Sequence, residues 1–178
     1  MKLKKTVVMV GMMGAGKTAV GRAVAAKLGV PFLDSDAEIV DAANMSIAEI
    51  FARDGEAFFR EKETQVIDRL LEEQVGILST GGGAFLAERN RDLISAKGVS
   101  VWLNAERDLL WERVRHKDTR PLLRTADPLA TLTEIFNTRV PIYALADLSV
   151  KADPDFTIEE MADRVIDALR TRPDVLEV

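Results

Sequence analysis

The sequence predicts an α/β domain built on a parallel sheet with helices covering both faces. Short apolar runs of β type at 6–10, 31–33, 76–79, 99–103 and 148–150 alternate with helix-period segments. The runs are nearly continuous in apolar residues, as strands buried on both faces are. A glycine-rich loop joins the first run to the first helix. Sheets of this kind bind ligands beyond the carboxyl ends of their strands, so the segments that follow each run carry the functional expectation.

The first run leads into Gly11-Met12-Met13-Gly14-Ala15-Gly16-Lys17-Thr18, a phosphate-binding loop, and then into a helix at about 19–28. Its glycines let backbone N–H groups wrap phosphate oxygens, and the helix N-terminus adds positive potential. Lys17 is placed to reach the β- and γ-phosphates, and the Thr18 hydroxyl can sit on Mg²⁺. The loop predicts a nucleoside triphosphate and leaves the acceptor open.

The second run closes with Asp34-Ser35-Asp36, ahead of helical segments expected at 36–53 and 56–73. Two carboxylates one residue apart in extended chain point in roughly the same direction. Beside a triphosphate, one can support Mg²⁺ and the other can accept a hydrogen bond from a substrate hydroxyl. Alternatively, Asp36 or Ser35 caps a helix that starts near Ala37. The third run is followed by Gly81-Gly82-Gly83, which allows a ligand to approach the backbone closely, and by a helix at 88–96. This run lacks the terminal aspartate that phosphate-loop proteins commonly use for the metal, which directs attention back to Asp34.

The fourth run precedes a helix at 106–116. The connection 117–128 has little periodicity and contains Arg120 and Arg124. It suits a mobile lid, with Arg120 meeting the γ-phosphate and Arg124 at the surface. Arg139 lies in the helix expected at 128–146, and Arg60 in the one at 56–73. Either arginine can grip an anionic substrate bidentately, or make a weak surface ion pair. The last run and a helix at 157–170 complete the pattern.

Composition narrows the chemistry. The 178 residues form one domain over 1–178, with 47% hydrophobic and 30% charged residues, an ordinary balance for a globular chain. The absence of cysteine excludes disulfides and thiol chemistry. The single histidine, His116, lies in a basic run, reads as a solvated surface residue, and argues against a His-dependent triad. A net charge of -5 argues against non-specific nucleic-acid binding. No stretch approaches a membrane span, and the run at 6–10 is too short for a signal core. A cytoplasmic monomer is expected.

Taken in order, these residues resemble the shikimate kinase family. The resemblance runs from the first strand to about Pro154. It includes Val20-Gly21-Arg22 after the loop, the Asp34-Ser35-Asp36 pair, Ile47-Ala48-Glu49-Ile50-Phe51, and Asp54-Gly55-Glu56 leading to Phe59-Arg60. It continues through Gly81-Gly82-Gly83-Ala84, Thr119-Arg120-Pro121-Leu122-Leu123 and Arg139-Val140-Pro141-Ile142-Tyr143. The resemblance implies a three-layer P-loop kinase fold with a five-stranded parallel sheet, substrate-binding helices at about 36–62 and a lid at about 117–128. It implies transfer of the γ-phosphoryl of ATP to the 3-hydroxyl of shikimate, with Mg²⁺ as cofactor.

Position by position, it implies ATP binding by Gly14, Ala15, Gly16, Lys17, Thr18, Ala19, Arg113 and Arg120, with Arg115 close enough to compete with Arg113. It implies a metal held by Thr18 and, through water, Asp34. Asp36, Arg60, Gly82 and Arg139 are the implied shikimate residues, and Lys17, Asp36 and Arg120 the catalytic ones. An adenine-contacting loop is expected around 151–154. Another small-molecule kinase, such as a gluconate kinase, would leave the Asp pair, the glycine triplet and the two arginines unexplained. A GTP-dependent switch would need an Asn-Lys-x-Asp motif, which the sequence lacks.

Overall fold

Five strands form the sheet, with the three central ones almost wholly buried and the two edge strands partly open to solvent. The sheet is built from β2 (Thr6–Val10), β3 (Phe32–Asp34), β4 (Ile77–Ser79), β5 (Gly98–Asn104) and β6 (Leu148–Lys151), in the order β3-β4-β2-β5-β6. All four pairings are parallel, with Val8 between Leu78 and Ser100 in the central register. Every residue of β2 is buried, as expected of a strand covered on both faces. This is a computed structural model, and it describes residues 1–116 and 123–178.

The covering helices are α1 (Lys17–Leu28), α2 (Ser35–Ala43), α3 (Ile47–Asp54), α4 (Glu56–Glu73), α5 (Glu88–Lys97), α6 (Arg107–Val114), α7 (Pro128–Tyr143) and α8 (Ile158–Leu169). The fold is therefore the three-layer α/β arrangement read from the sequence. Val7, Val8, Ile77, Leu78, Val99 and Val101 are fully buried at its centre, with Val24, Ile67, Ile94 and Leu169 packed in from the helices.

The helical segment expected at 36–53 is two helices. Asn44 takes a left-handed φ of 52° and ends α2, and the Ser46 hydroxyl accepts from Glu49 N–H at 3.1 Å to start α3. Gly55, with φ 86°, then turns the chain into α4. Apolar residues continue at helical spacing across the Asn44–Ser46 joint, which is why that joint was not visible, whereas the break at Gly55 was expected. The helix expected at 128–146 ends at Tyr143. A two-stranded antiparallel pair, β1 (Lys2–Leu3) with β7 (Leu176–Glu177), ties the two ends of the chain together and was not expected. Two residues are too few to show a period.

Because the strands of the sheet are parallel, the segments that follow them open at one edge. The phosphate loop follows β2, Asp34 ends β3, and the glycine triplet lies just beyond β4.

Candidate active site

The phosphate loop is shaped by two glycines. Gly14 (φ 81°) and Gly16 (φ 94°) adopt the left-handed conformation that side chains resist, and α1 begins directly after at Lys17. Ala15 is buried beneath the loop, while Thr18 and Ala19 are exposed on the first helical turn. Lys17 Nζ donates to the Gly11 carbonyl at 2.6 Å, folding the ammonium back over the loop. Arg113 of α6 crosses to it as well, donating from Nη1 to the Gly14 carbonyl at 3.0 Å. Burial lowers the proton affinity of Arg113, as desolvation of a cation does. Arg115 is exposed and pairs with Glu112 at 3.5 Å, so the arginine brought to the loop is Arg113.

At the end of β3 the cap falls to Asp34, not to Ser35 or Asp36. Asp34 Oδ1 accepts from Ala37 N–H at 3.1 Å, and α2 starts one residue later. Asp36 therefore sits in the first turn of a helix, so the two carboxylates do not lie side by side along extended chain. They remain electrostatic neighbours. Burial raises the Asp36 carboxyl above the usual aspartate range, the Asp34 charge adds to this, and Lys17 and Arg60 oppose it. The phosphate-loop lysine is thus felt at Asp36.

The glycine triplet is where the acceptor residues meet. A Cβ on Gly81 would lie 2.8 Å from Asp36 Oδ2, one on Gly82 3.1 Å from Arg139 Nη1, and one on Gly83 2.5 Å from Arg60 Nη2. None of the three has a positive φ, so a side chain here would meet no backbone strain but would press on these three groups. The loop consequently gathers a carboxylate and two guanidinium groups around backbone that no side chain shields.

Arg60 is held by Glu63, whose two oxygens accept from Nη1 at 3.0 and 3.2 Å. Glu63 is 1% exposed, and burial raises its carboxyl despite the opposing pull of Arg60. Among the described residues Arg139 makes no carboxylate ion pair, which leaves its charge available to an anion.

The structure therefore brings together Lys17, Asp36, Arg60, Gly82 and Arg139, with Arg113 at the phosphate loop. Arg120 and the first half of the expected lid, 117–122, lie outside the described residues. Around 151–154, where the adenine loop was expected, Lys151 faces Glu106 at 3.8 Å and Ala152 is buried. For Mg²⁺, the residues present fit a hard cation that keeps most of its ligands from phosphate and water. Thr18 supplies a solvent-exposed hydroxyl and Asp34 a carboxylate beside a second one, and no group of three or more acidic, histidine or cysteine side chains forms a closed cage among the described residues.

Sequence reasoning missed Glu63, Asn90 and Tyr143. The i,i+3 spacing of Arg60 and Glu63 was a readable signal, but burial of the acid was not. Tyr143, the chain's one tyrosine, stands one helical turn after Arg139. Asn90 carried no signal.

Comparison with known proteins yields consistent matches. The family model for shikimate kinase matches residues 13–170. A shikimate kinase of Ruegeria pomeroyi is 70% identical over 176 residues, covering 99% of this chain and 90% of its own. The solved shikimate kinase of Acinetobacter baumannii, in complex with shikimate, superposes with a TM-score of 0.85 at 33% identity, covering 94% of this chain and 93% of its own. A gluconokinase from Sinorhizobium meliloti reaches a TM-score of 0.63 at 18% identity over 96% of this chain and 94% of its own, a likeness of fold alone.

Proposed function

This chain belongs to the shikimate kinase family, and from that premise we propose how its residues divide the work. The enzyme transfers the γ-phosphoryl of ATP to the 3-hydroxyl of shikimate, giving shikimate 3-phosphate and ADP on the route to chorismate and the aromatic amino acids. The observation that carries the assignment of roles is the convergence of Asp36, Arg60 and Arg139 on the glycine triplet. One carboxylate for a hydroxyl and two guanidinium groups for a carboxylate match a small hydroxylated acid.

In this reading residues Gly14 to Ala19 cradle the triphosphate, with Lys17 on the β- and γ-phosphates. Arg60 and Arg139 grip the shikimate carboxylate, and the Gly82 backbone lies against the ring. Asp36 accepts the hydrogen bond of the 3-hydroxyl. As the new O–P bond forms and the bond to the β-phosphate oxygen breaks, the proton passes to Asp36. Its burial raises its proton affinity and makes it the better acceptor, while the charges of Lys17 and Arg60 pull the other way. Thr18 and, through water, Asp34 would hold Mg²⁺, which would supply charge neutralisation for the triphosphate. Arg113 steadies the loop and borders the nucleotide.

Arg120 is assigned to the transferring phosphoryl group on its sequence context alone, within a lid at about 117–128. The remaining parts of the proposal are a single domain acting as a cytoplasmic monomer. A net charge of -5, which favours solubility, is in keeping with it. Among the described residues no helix is long and apolar enough to cross a membrane.

Coupled ADP release, measured in parallel with shikimate, quinate and gluconate, tests the acceptor. Rapid release with shikimate is expected. Release with gluconate and none with shikimate would overturn the reading.

A further inference from the structure

A run of three glycines carries no side chain to hold it, and each residue costs roughly 1–2 kcal/mol of backbone entropy to fix. Two buried polar side chains hold this one from outside. The Tyr143 hydroxyl donates to the Gly82 carbonyl at 2.7 Å, and Tyr143 is 1% exposed. Asn90, also 1% exposed, donates from Nδ2 to the Ala84 carbonyl at 2.8 Å, and its Oδ1 lies 2.7 Å from Thr64 Oγ1 on α4.

The peptide plane makes the first of these bonds directional. In a trans peptide the C=O and the following N–H point opposite ways, so fixing the Gly82 oxygen on Tyr143 aims the Gly83 N–H to the other side. Tyr143 also lies one helical turn beyond Arg139, whose Nη1 borders Gly82. Burial raises the phenol and the Arg139 charge opposes that, so the hydroxyl keeps its proton to donate at any physiological pH.

We propose that Tyr143 is a positioning residue of the acceptor site, fixing the Gly82–Gly83 peptide and the adjoining Arg139 for shikimate while leaving the ATP half untouched. The inference rests on the assignment of Gly82 and Arg139 to shikimate given above. Tyr143 itself touches no reacting atom.

The test is Tyr143→Phe, which keeps the ring and removes the hydroxyl. The expected result is a rise of about tenfold in the KM for shikimate, with the KM for ATP within about twofold of wild type. An unchanged shikimate KM, or an equal rise for both substrates, overturns the inference. Arg139→Ala, assayed alongside, separates the two levels. A normal shikimate KM in Arg139→Ala sinks the acceptor assignment and this inference with it. A raised KM there beside a normal one in Tyr143→Phe sinks the inference alone. Should Tyr143→Phe fail to fold, the wild-type chain still decides, because its one tyrosine can be replaced biosynthetically by 3-fluorotyrosine. Saturating shikimate is expected to move that single ¹⁹F resonance further than saturating ADP does. A resonance that shikimate leaves in place overturns the proposal.

Discussion

The Asp36 carboxylate rests against Gly81, so that a methyl group there would stand 2.8 Å from Oδ2 and 2.9 Å from Oδ1. The group that would have to yield is the end of a short side chain in the first turn of a helix. Gly81→Ala therefore displaces the proposed acceptor of the hydroxyl proton rather than the backbone. Turnover is expected to fall by at least about tenfold while the melting temperature stays within a few degrees of wild type. Steady-state kinetics and thermal unfolding check this. Normal turnover in Gly81→Ala would show that the contact has no catalytic consequence.

Asp36 holds its place at a cost in stability. Its raised carboxyl means that the folded protein binds this proton more tightly than the unfolded chain does. The folded state is therefore unpenalised below the ordinary aspartate value of about 3.9, and stability is lost as pH rises through the folded value. Asp36→Asn is neutral at every pH. In the ligand-free enzyme at pH 7 it is expected to unfold roughly 2–4 °C above wild type, a gain on the order of 1 kcal/mol, with turnover down by about 100-fold or more. The thermal difference shrinks as the pH approaches 4. A variant less stable than wild type at pH 7 would contradict the sign.

Lys17 carries a different expectation. Its ammonium already lies over the loop, donating to the Gly11 carbonyl, and the helix behind it is packed by Val20 and Val24. Lys17→Ala removes the charge that meets the β- and γ-phosphates and leaves that packing intact. Turnover should fall by roughly 1,000-fold or more, with the circular dichroism spectrum unchanged. Activity within tenfold of wild type would remove Lys17 from the phosphoryl-transfer step.

How much of this was legible in the sequence depends on whether the signal was local. The loop Gly11 to Thr18 announces itself because its glycines, lysine and hydroxyl are neighbours in the chain and their context is strand then helix. The parallel sheet was readable from apolar runs alternating with helical segments, its strand order was not, and the expected acceptor residues Asp36, Arg60, Gly82 and Arg139 were named through an ordered motif. Their packing was not, because each contact joins different elements. The same distance hid the partner of Arg60. The sequence shows an ordinary i,i+3 pair on a helix surface, while the fold covers the acid and leaves the arginine half open. The cap at Asp34 was misassigned for a smaller reason: helix starts shift by a residue, and three successive polar residues were all eligible.

That covered acid supplies the last prediction. Glu63 is 1% exposed and accepts twice from Arg60 Nη1, yet the Arg60 side chain keeps 29% of its exposure and a second acid, Glu56, at 3.6 Å. Breaking a fully buried pair costs about 3–5 kcal/mol because a charge is stranded away from water. Here the surviving charge is the solvated one. Glu63→Gln keeps the volume and a hydrogen-bond acceptor, and burial already disfavours the ionised carboxyl. The stability change is therefore expected to stay under about 1 kcal/mol, or roughly 2–4 °C. Function should suffer more, because Arg60 loses the charge that aims its guanidinium along Gly83. A rise of about fivefold or more in the KM for shikimate, with the KM for ATP unchanged, is the expected kinetic result. A large loss of stability with a normal shikimate KM would make Glu63 a core residue and leave the aim of Arg60 to Glu56 and the glycine loop.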